Sequence, residues 1–246
     1  MKRFPAHCVL LLAFSLLTAV TAQPLPDERN AAASRPNEDA GQLQPAAESS
    51  QAESKIDAAL IAEARRLVAA GQLDKAEAIY VEALKSNPRD VRALSNLATL
   101  QAQQNRLDDA EKSVAQALAV DPKDAACLGL LGYLKLNQQK YDDALDALKR
   151  AAEITPQDPK IQTLLGLVLY QKDMPGPAET AFRRALQADP GFADAHANLA
   201  RMYVTQQPPS LALARWHYQK AVAAGAPPNP DLEKKLEAAD AASGAK

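Results

Sequence analysis

The chain is expected to be all-α, with pairs of helices stacked into a solenoid. Three observations predict this. Pro88, Pro122, Pro156 and Pro190 recur at a spacing of 34 residues, and internal repeats of roughly 20 to 50 residues signal stacked supersecondary units. Of the 246 residues, 47% are hydrophobic but only 4% aromatic, because 52 are alanine. So little bulk cannot fill a sandwich or barrel core, whereas alanine is the best helix former and lets helices approach closely. Finally, other columns keep the proline period without adjustment.

With each proline as the thirty-second position, the repeats are 57–90, 91–124, 125–158 and 159–192. The eighth position is then always small (Ala64, Ala98, Gly132, Gly166), as are the twentieth (Ala76, Ala110, Ala144, Ala178) and the twenty-seventh (Ala83, Ala117, Ala151, Ala185). The twenty-fourth is large: Tyr80, Val114, Leu148 and Phe182. Small residues suit the places where two helices cross, and a large one fills the space beside them. A fifth repeat, 193–228, regains the columns at Leu199, Ala200, Ala214, Tyr218 and Ala221 once two extra residues are placed at Gln206–Ser210, where Pro208 and Pro209 forbid a helix.

The elements follow in chain order. Residues 1–22 read as a secretory signal: Lys2 and Arg3, an apolar run from Val9 to Val20, and the small-x-small site Val20-Thr21-Ala22. The run is short of the ~18 apolar residues of a membrane span, so no stable anchor is expected after cleavage. Residues 23–53 carry Pro24, Pro26, Pro36 and Pro45 among polar residues and no helical period, which reads as a disordered linker. The repeats occupy 54–228. Within each, apolar residues three and four apart mark two helices; Asp108 is the expected N-cap of one through Val120, which Pro122 ends. Asn229-Pro230-Asp231 starts a capping helix over 229–240, with Leu232, Leu236 and Ala239 on its apolar stripe. Residues 241–246 are expected to be a disordered tail.

Chemistry-bearing motifs are missing. The net charge of -2 gives no reason to expect a nucleic-acid partner. Two cysteines, Cys8 and Cys127, cannot build a disulfide scaffold, and Cys127 fits a packed small residue. Of the three histidines, His7 belongs to the signal, His196 to a packing position, and His217 lies between Trp216 and Tyr218 on a second helix. No metal-ligand spacing, nucleophile elbow or phosphate loop is present, so no catalysis, cofactor or metal is expected. Asp108-Asp109 and Asp142-Asp143 suit helix starts better than calcium loops.

The small-residue and proline columns resemble the tetratricopeptide repeat family over Asp57 to Pro228. The frequent tryptophan at the family's fourth position is replaced by Leu60, Leu94, Leu128, Gln162 and His196. The resemblance implies antiparallel helix pairs in a right-handed superhelix, with a concave groove lined by the first helix of each pair. Carried over position by position, the groove takes Arg65, Asn96, Leu130, Tyr133, Leu136, Leu164, Leu167, Tyr170, Asn198 and Arg201, an apolar centre with polar ends. Asn96 and Asn198 are expected to hydrogen-bond a partner's main chain. The chaperone-binding branch clamps a C-terminal carboxylate, but Ile61, Arg65, Asn96, Ala126 and Leu130 stand at those positions and only Asn96 agrees in type, so no such clamp is expected.

The function this implies is an exported adaptor, periplasmic or secreted, that holds a partner protein or peptide in its groove during assembly of a cell-envelope or secretion complex. The alternative is a self-associating envelope protein joined through Trp216, the proline-rich insertion or the terminal helix. The oligomeric state is left open.

Overall fold

The computed structural model describes residues 59–244, which form two compact units, 59–120 and 121–244. The signal and the linker expected over 1–53 lie outside the described residues. Every regular element among the described residues is an α-helix.

The first unit contains α1 (59–69), α2 (Leu73–Ser86), α3 (Val91–Gln103) and α4 (Leu107–Val120). Its core joins Ile61, Ala64, Ala76, Tyr80, Ala93, Leu97 and Leu100. Burial pushes the Tyr80 hydroxyl pKa up to about 12. The second unit contains α5 (Ala125–Asn137), α6 (Tyr141–Ile154), α7 (Pro159–Gln171), α8 (Pro175–Ala188), α9 (Ala193–Thr205), α10 (Leu211–Ala223) and α11 (Pro230–Gly244). Here each first helix (α5, α7, α9) packs on its own second helix (α6, α8, α10), and α11 closes the end against α9 and α10.

The small-against-large columns are direct contacts. A Cβ placed on Gly132 would stand 2.4 Å from Leu148 Cγ, and one on Gly166 2.6 Å from Phe182 Cε1. Leu148 and Phe182 are in turn almost completely buried. Glycine at the eighth position is therefore what allows a large side chain at the twenty-fourth to lie against the facing backbone.

Two further columns share the period. Asp90, Asp124 and Asp158, each two residues after a proline, cap α3, α5 and α7: their carboxylates accept from Arg92 N and Ala93 N, from Cys127 N, and from Lys160 N and Ile161 N. The fifth repeat has Phe192 there and no side-chain cap. The fifteenth positions, Gly71, Asn105, Gln139 and Asp173, are all left-handed, with φ of 72°, 61°, 60° and 62°. This residue turns the chain from first helix to second. The fifth repeat makes the turn instead through its insertion, Gln206–Ser210.

Two expectations are corrected. Asp108 is not an N-cap: α4 begins at Leu107, and Asp108 and Asp109 sit inside the first turn, where they complement the positive helix end. The same holds for Asp142 and Asp143 in α6. The terminal helix does not stop at 240 but runs to Gly244, because Ala239, Ala241 and Ala242 carry high helix propensity past the expected end. Its start is held by Asn229, whose Oδ1 accepts from Leu232 N at 3.1 Å, and by Tyr218, whose hydroxyl accepts from Asn229 N and donates to Glu233.

Candidate functional site

The first-helix face was the expected site, and each unit contributes to it separately. In the first unit Arg65 and Asn96 are half-buried. Asn96 Nδ2 donates to Arg92 O at 2.8 Å, one turn back on its own helix. In the second unit Asn198 does the same to Asp194 O at 2.8 Å and is buried. Each asparagine thus places one amide N–H on its own backbone, since an i to i−4 acceptor is always within reach on a helix.

The apolar members are enclosed. Leu130, Leu164 and Leu167 are each 6% exposed and Tyr133 5%, while Leu136 is sealed more tightly still. Burial raises the Tyr133 hydroxyl pKa, which the nearby Asn137 side chain partly offsets. Gly129 lets Ile161 come within 3.4 Å of where a Cβ would stand, so α5 and α7 run close together. Each large apolar side chain gains roughly 1.5–3 kcal/mol from leaving water, and these positions realise that gain within the full chain. The half-buried members are Tyr170 and Arg201. The Tyr170 hydroxyl lies 2.6 Å from Thr205 Oγ1, bridging α7 and α9.

A second cluster lies on the second-helix side of repeats four and five. His196 Nε2 is 3.0 Å from Pro190 O, and His196 Nδ1 is 2.8 Å from His217 Nδ1. A carbonyl only accepts, so His196 carries its proton on Nε2 and offers a lone pair at Nδ1. His217 must then be protonated at Nδ1, and its Nε2 is left as an acceptor. The fourth position of the preceding repeat makes the same link, Gln162 Nε2 donating to Pro156 O at 2.9 Å. Burial, then repulsion from His196 and Arg183, lowers the His217 pKa to about 4. Both rings are packed by Trp216, with centroids 4.7 Å from His217 and 5.7 Å from His196. Beside them Arg183 donates to Glu179 Oε1 and to the Tyr203 hydroxyl, which also donates to Glu179.

The sequence placed His196 in packing and His217 on a second helix, and the structure joins them across 21 residues. The signal that could have found this cluster is the coincidence of two departures in one repeat, His196 at the fourth position and His217 at the twenty-third. Among the described residues no group of three or more histidine, cysteine or acidic side chains is placed to hold a metal ion. No helix among them is long and apolar enough to cross a membrane.

No curated protein matches the chain. Solved structures do, and they share its fold. PilF of Pseudomonas aeruginosa is 22% identical, with a TM-score of 0.67, covering 78% of this chain and 90% of its own. PilW, described as a widely conserved type IV pilus biogenesis factor, is 22% identical with a TM-score of 0.67, covering 76% and 89%. YrrB, described as a tetratricopeptide repeat protein with an unusual peptide-binding site, is 23% identical with a TM-score of 0.55, covering 74% and 90%. Family models described as tetratricopeptide repeat match residues 67–131, 107–168 and 163–230. With the 34-residue columns and paired helices matched over that span, the chain belongs to the tetratricopeptide repeat family.

Proposed function

We propose that the chain is an exported adaptor that receives a partner peptide or helix on the first-helix face of its second unit, in assembly of a cell-envelope or secretion complex. The observation that carries this reading is the run of apolar side chains at Leu130, Tyr133, Leu136, Leu164 and Leu167, flanked by Tyr170 and Arg201. An apolar centre with a polar rim is the usual build of a partner site. Because the leucines are enclosed, the accessible handle is Tyr170, whose hydroxyl lies 2.6 Å from Thr205 Oγ1, and the enclosed apolar run holds that handle in place. The export part rests on the signal-like residues 1–22, and the envelope part on likeness to a pilus biogenesis factor.

The test is affinity capture from envelope extract with the full chain and with Tyr170→Ala, both checked by circular dichroism. The expected result is a specific set of captured proteins that the variant loses. Equal capture by the folded variant sinks the first-helix face as the site. Detection of the chain only in the cytoplasmic fraction sinks export.

A further inference from the structure

The fifth repeat breaks the repeat pattern on a surface where the others keep it. At the nineteenth position the first four repeats carry Lys75, Asp109, Asp143 and Pro177; the fifth carries Leu213. At the twenty-second they carry Ala78, Lys112, Asp146 and Thr180; the fifth carries Trp216. In the second repeat these positions hold a solvated ion pair, Lys112 to Asp109. In the fifth, Leu213 is 44% exposed and Trp216 50%. One side of Trp216 packs on the two histidines, but its other half and most of Leu213 are left in water on positions that are otherwise charged or small.

They rim a cavity open to solvent, of about 740 Å³, between α8 and α10. The Arg183 side and Leu186 form one wall, and His196 and His217 lie at its inner end. None of its lining residues belongs to the first-helix face. The volume falls within the range of pockets that take a small ligand or a few side chains. Its lining includes one guanidinium, that of Arg183, whose charge is met by the Glu179 carboxylate at 2.8 Å, so the further positive charge at the rim is that of Lys220. Arg183 uses Nε and Nη2 on Glu179 and Tyr203, and Lys220 Nζ stands 5.6 Å from the Trp216 ring at the rim. With His217 protonated at Nδ1, its Nε2 is an acceptor, in a ring that lines the cavity.

We infer that this cavity is a second docking site, taking from a partner protein a peptide segment with a tyrosine or tryptophan beside an aspartate or glutamate. The aromatic ring fills the space between Leu186, Leu213 and Trp216. Its O–H or N–H donates to His217 Nε2. The flanking carboxylate meets Lys220 at the rim. Tryptophan and arginine are the residue types that most often dominate such contacts. The site goes beyond the first-helix reading and does not depend on it.

The test selects random phage-displayed peptides on the immobilised full chain. The expected result is convergence on tyrosine or tryptophan next to acidic residues. A selected tyrosine peptide, made synthetically, shifts and quenches the emission of Trp216, the one tryptophan in the sequence. By labelled-peptide anisotropy, Leu213→Ser/Trp216→Ser weakens its binding about tenfold or more, the scale of losing a central anchor, with an unchanged circular dichroism spectrum. Tyr170→Ala leaves this binding unchanged, so the two sites fail separately. No convergent selection, convergence on basic or non-aromatic sequences, or full binding by the double variant overturns the proposal. Dimerisation of the wild type that the double variant abolishes also overturns it, in favour of a second copy as the occupant.

Discussion

The fourth and fifth repeats are neighbours on one scaffold, yet they treat the same positions differently. In the fourth, Gly166 faces Phe182, Asp158 caps the first helix, Asp173 turns the chain in a left-handed conformation, and Thr180 meets solvent. In the fifth these become Ala200 with Tyr218, Phe192 without a side-chain cap, a proline-rich insertion, and Trp216. What the fourth spends on regular stacking, the fifth replaces with polar side-chain contacts: His196 to His217, Tyr203 to Glu179, and Tyr218 to Glu233. Both repeats still bury the twentieth and twenty-seventh alanines completely. The lesson is that the alanine columns are the minimum for stacking, and the other columns are open to change where a neighbour compensates.

The largest effect is expected where the regular repeat is tightest. Gly166→Ala drives a Cβ to within 2.6 Å of the Phe182 ring, which has no soft end to move aside. Overpacking against a rigid ring costs about 3 kcal/mol, at the upper end for such changes, and exceeds the ~1 kcal/mol that alanine gains over glycine in a helix by about 2 kcal/mol. Ala200→Gly at the same column of the fifth repeat costs about 1 kcal/mol and creates no clash. Urea unfolding of both variants checks this. A stabilised Gly166→Ala means that Phe182 is free to move and the column is loosely packed.

Next comes the pH dependence expected from the buried histidine of the fifth repeat. Burial and the facing groups His196 and Arg183 hold the His217 pKa at about 4, against which Glu179 acts weakly. The folded value lies below the ordinary value of 6.5. The stabilising preference for the neutral ring is therefore complete above about pH 6.5 and is lost as pH falls toward 4. Allowing for solvent screening, the contribution is on the order of 1 to 2 kcal/mol. His217→Asn keeps an N–H donor near Nδ1 but does not titrate. The expected result is that wild type loses more stability than this variant between neutral pH and pH 4.5. Parallel pH profiles remove His217 from the account.

The caps give a smaller contrast. Asp158→Ala is expected to cost about 1 kcal/mol, because Lys160 N and Ile161 N lose their acceptor. The fifth repeat has no equivalent loss to suffer, since Phe192 offers no acceptor. Hydrogen exchange is the suitable measurement: amides in the first turn of α7 exchange faster in the variant, while those of α9 are unaffected. An equal change in both helices means the unit unfolds as a whole before α7 frays.

How much of this was legible in the sequence depended on whether a feature repeats. The proline and alanine columns, the glycine-against-large pairing and the insertion at Gln206–Ser210 were readable, because each is fixed by residue type at a constant period. Asp90, Asp124 and Asp158 share that period, each two residues after a proline, but an aspartate in a turn does not by itself say which helix it caps. Asp108 drew the N-cap assignment because it too stands before a helical pattern, and a one- or two-residue offset is below what pattern alone resolves. Exposure on the first-helix face was not legible: the repeat register tells which side of a helix Leu164 and Leu167 occupy, not what encloses them. The His196 to His217 link was hidden for the same reason, since it depends on how α9 and α10 meet after an insertion of irregular geometry.

The smallest expected effect tests whether the regular turn is itself under tension. Gln139 holds a φ of 60° at the column where Gly71 stands in the first repeat and Asn105 and Asp173 in the second and fourth. Asparagine and aspartate tolerate this conformation by bonding locally, whereas a longer side chain pays for its Cβ with roughly 1 kcal/mol or more. Glycine removes that cost but adds chain entropy to the unfolded state, so Gln139→Gly is expected to stabilise the second unit by a net ~0.5 kcal/mol. The sign is the informative part. If the variant is destabilised in urea unfolding, Gln139 contributes more through its side chain than its backbone costs, and the left-handed column reflects contacts of the individual residues instead of the geometry of the turn.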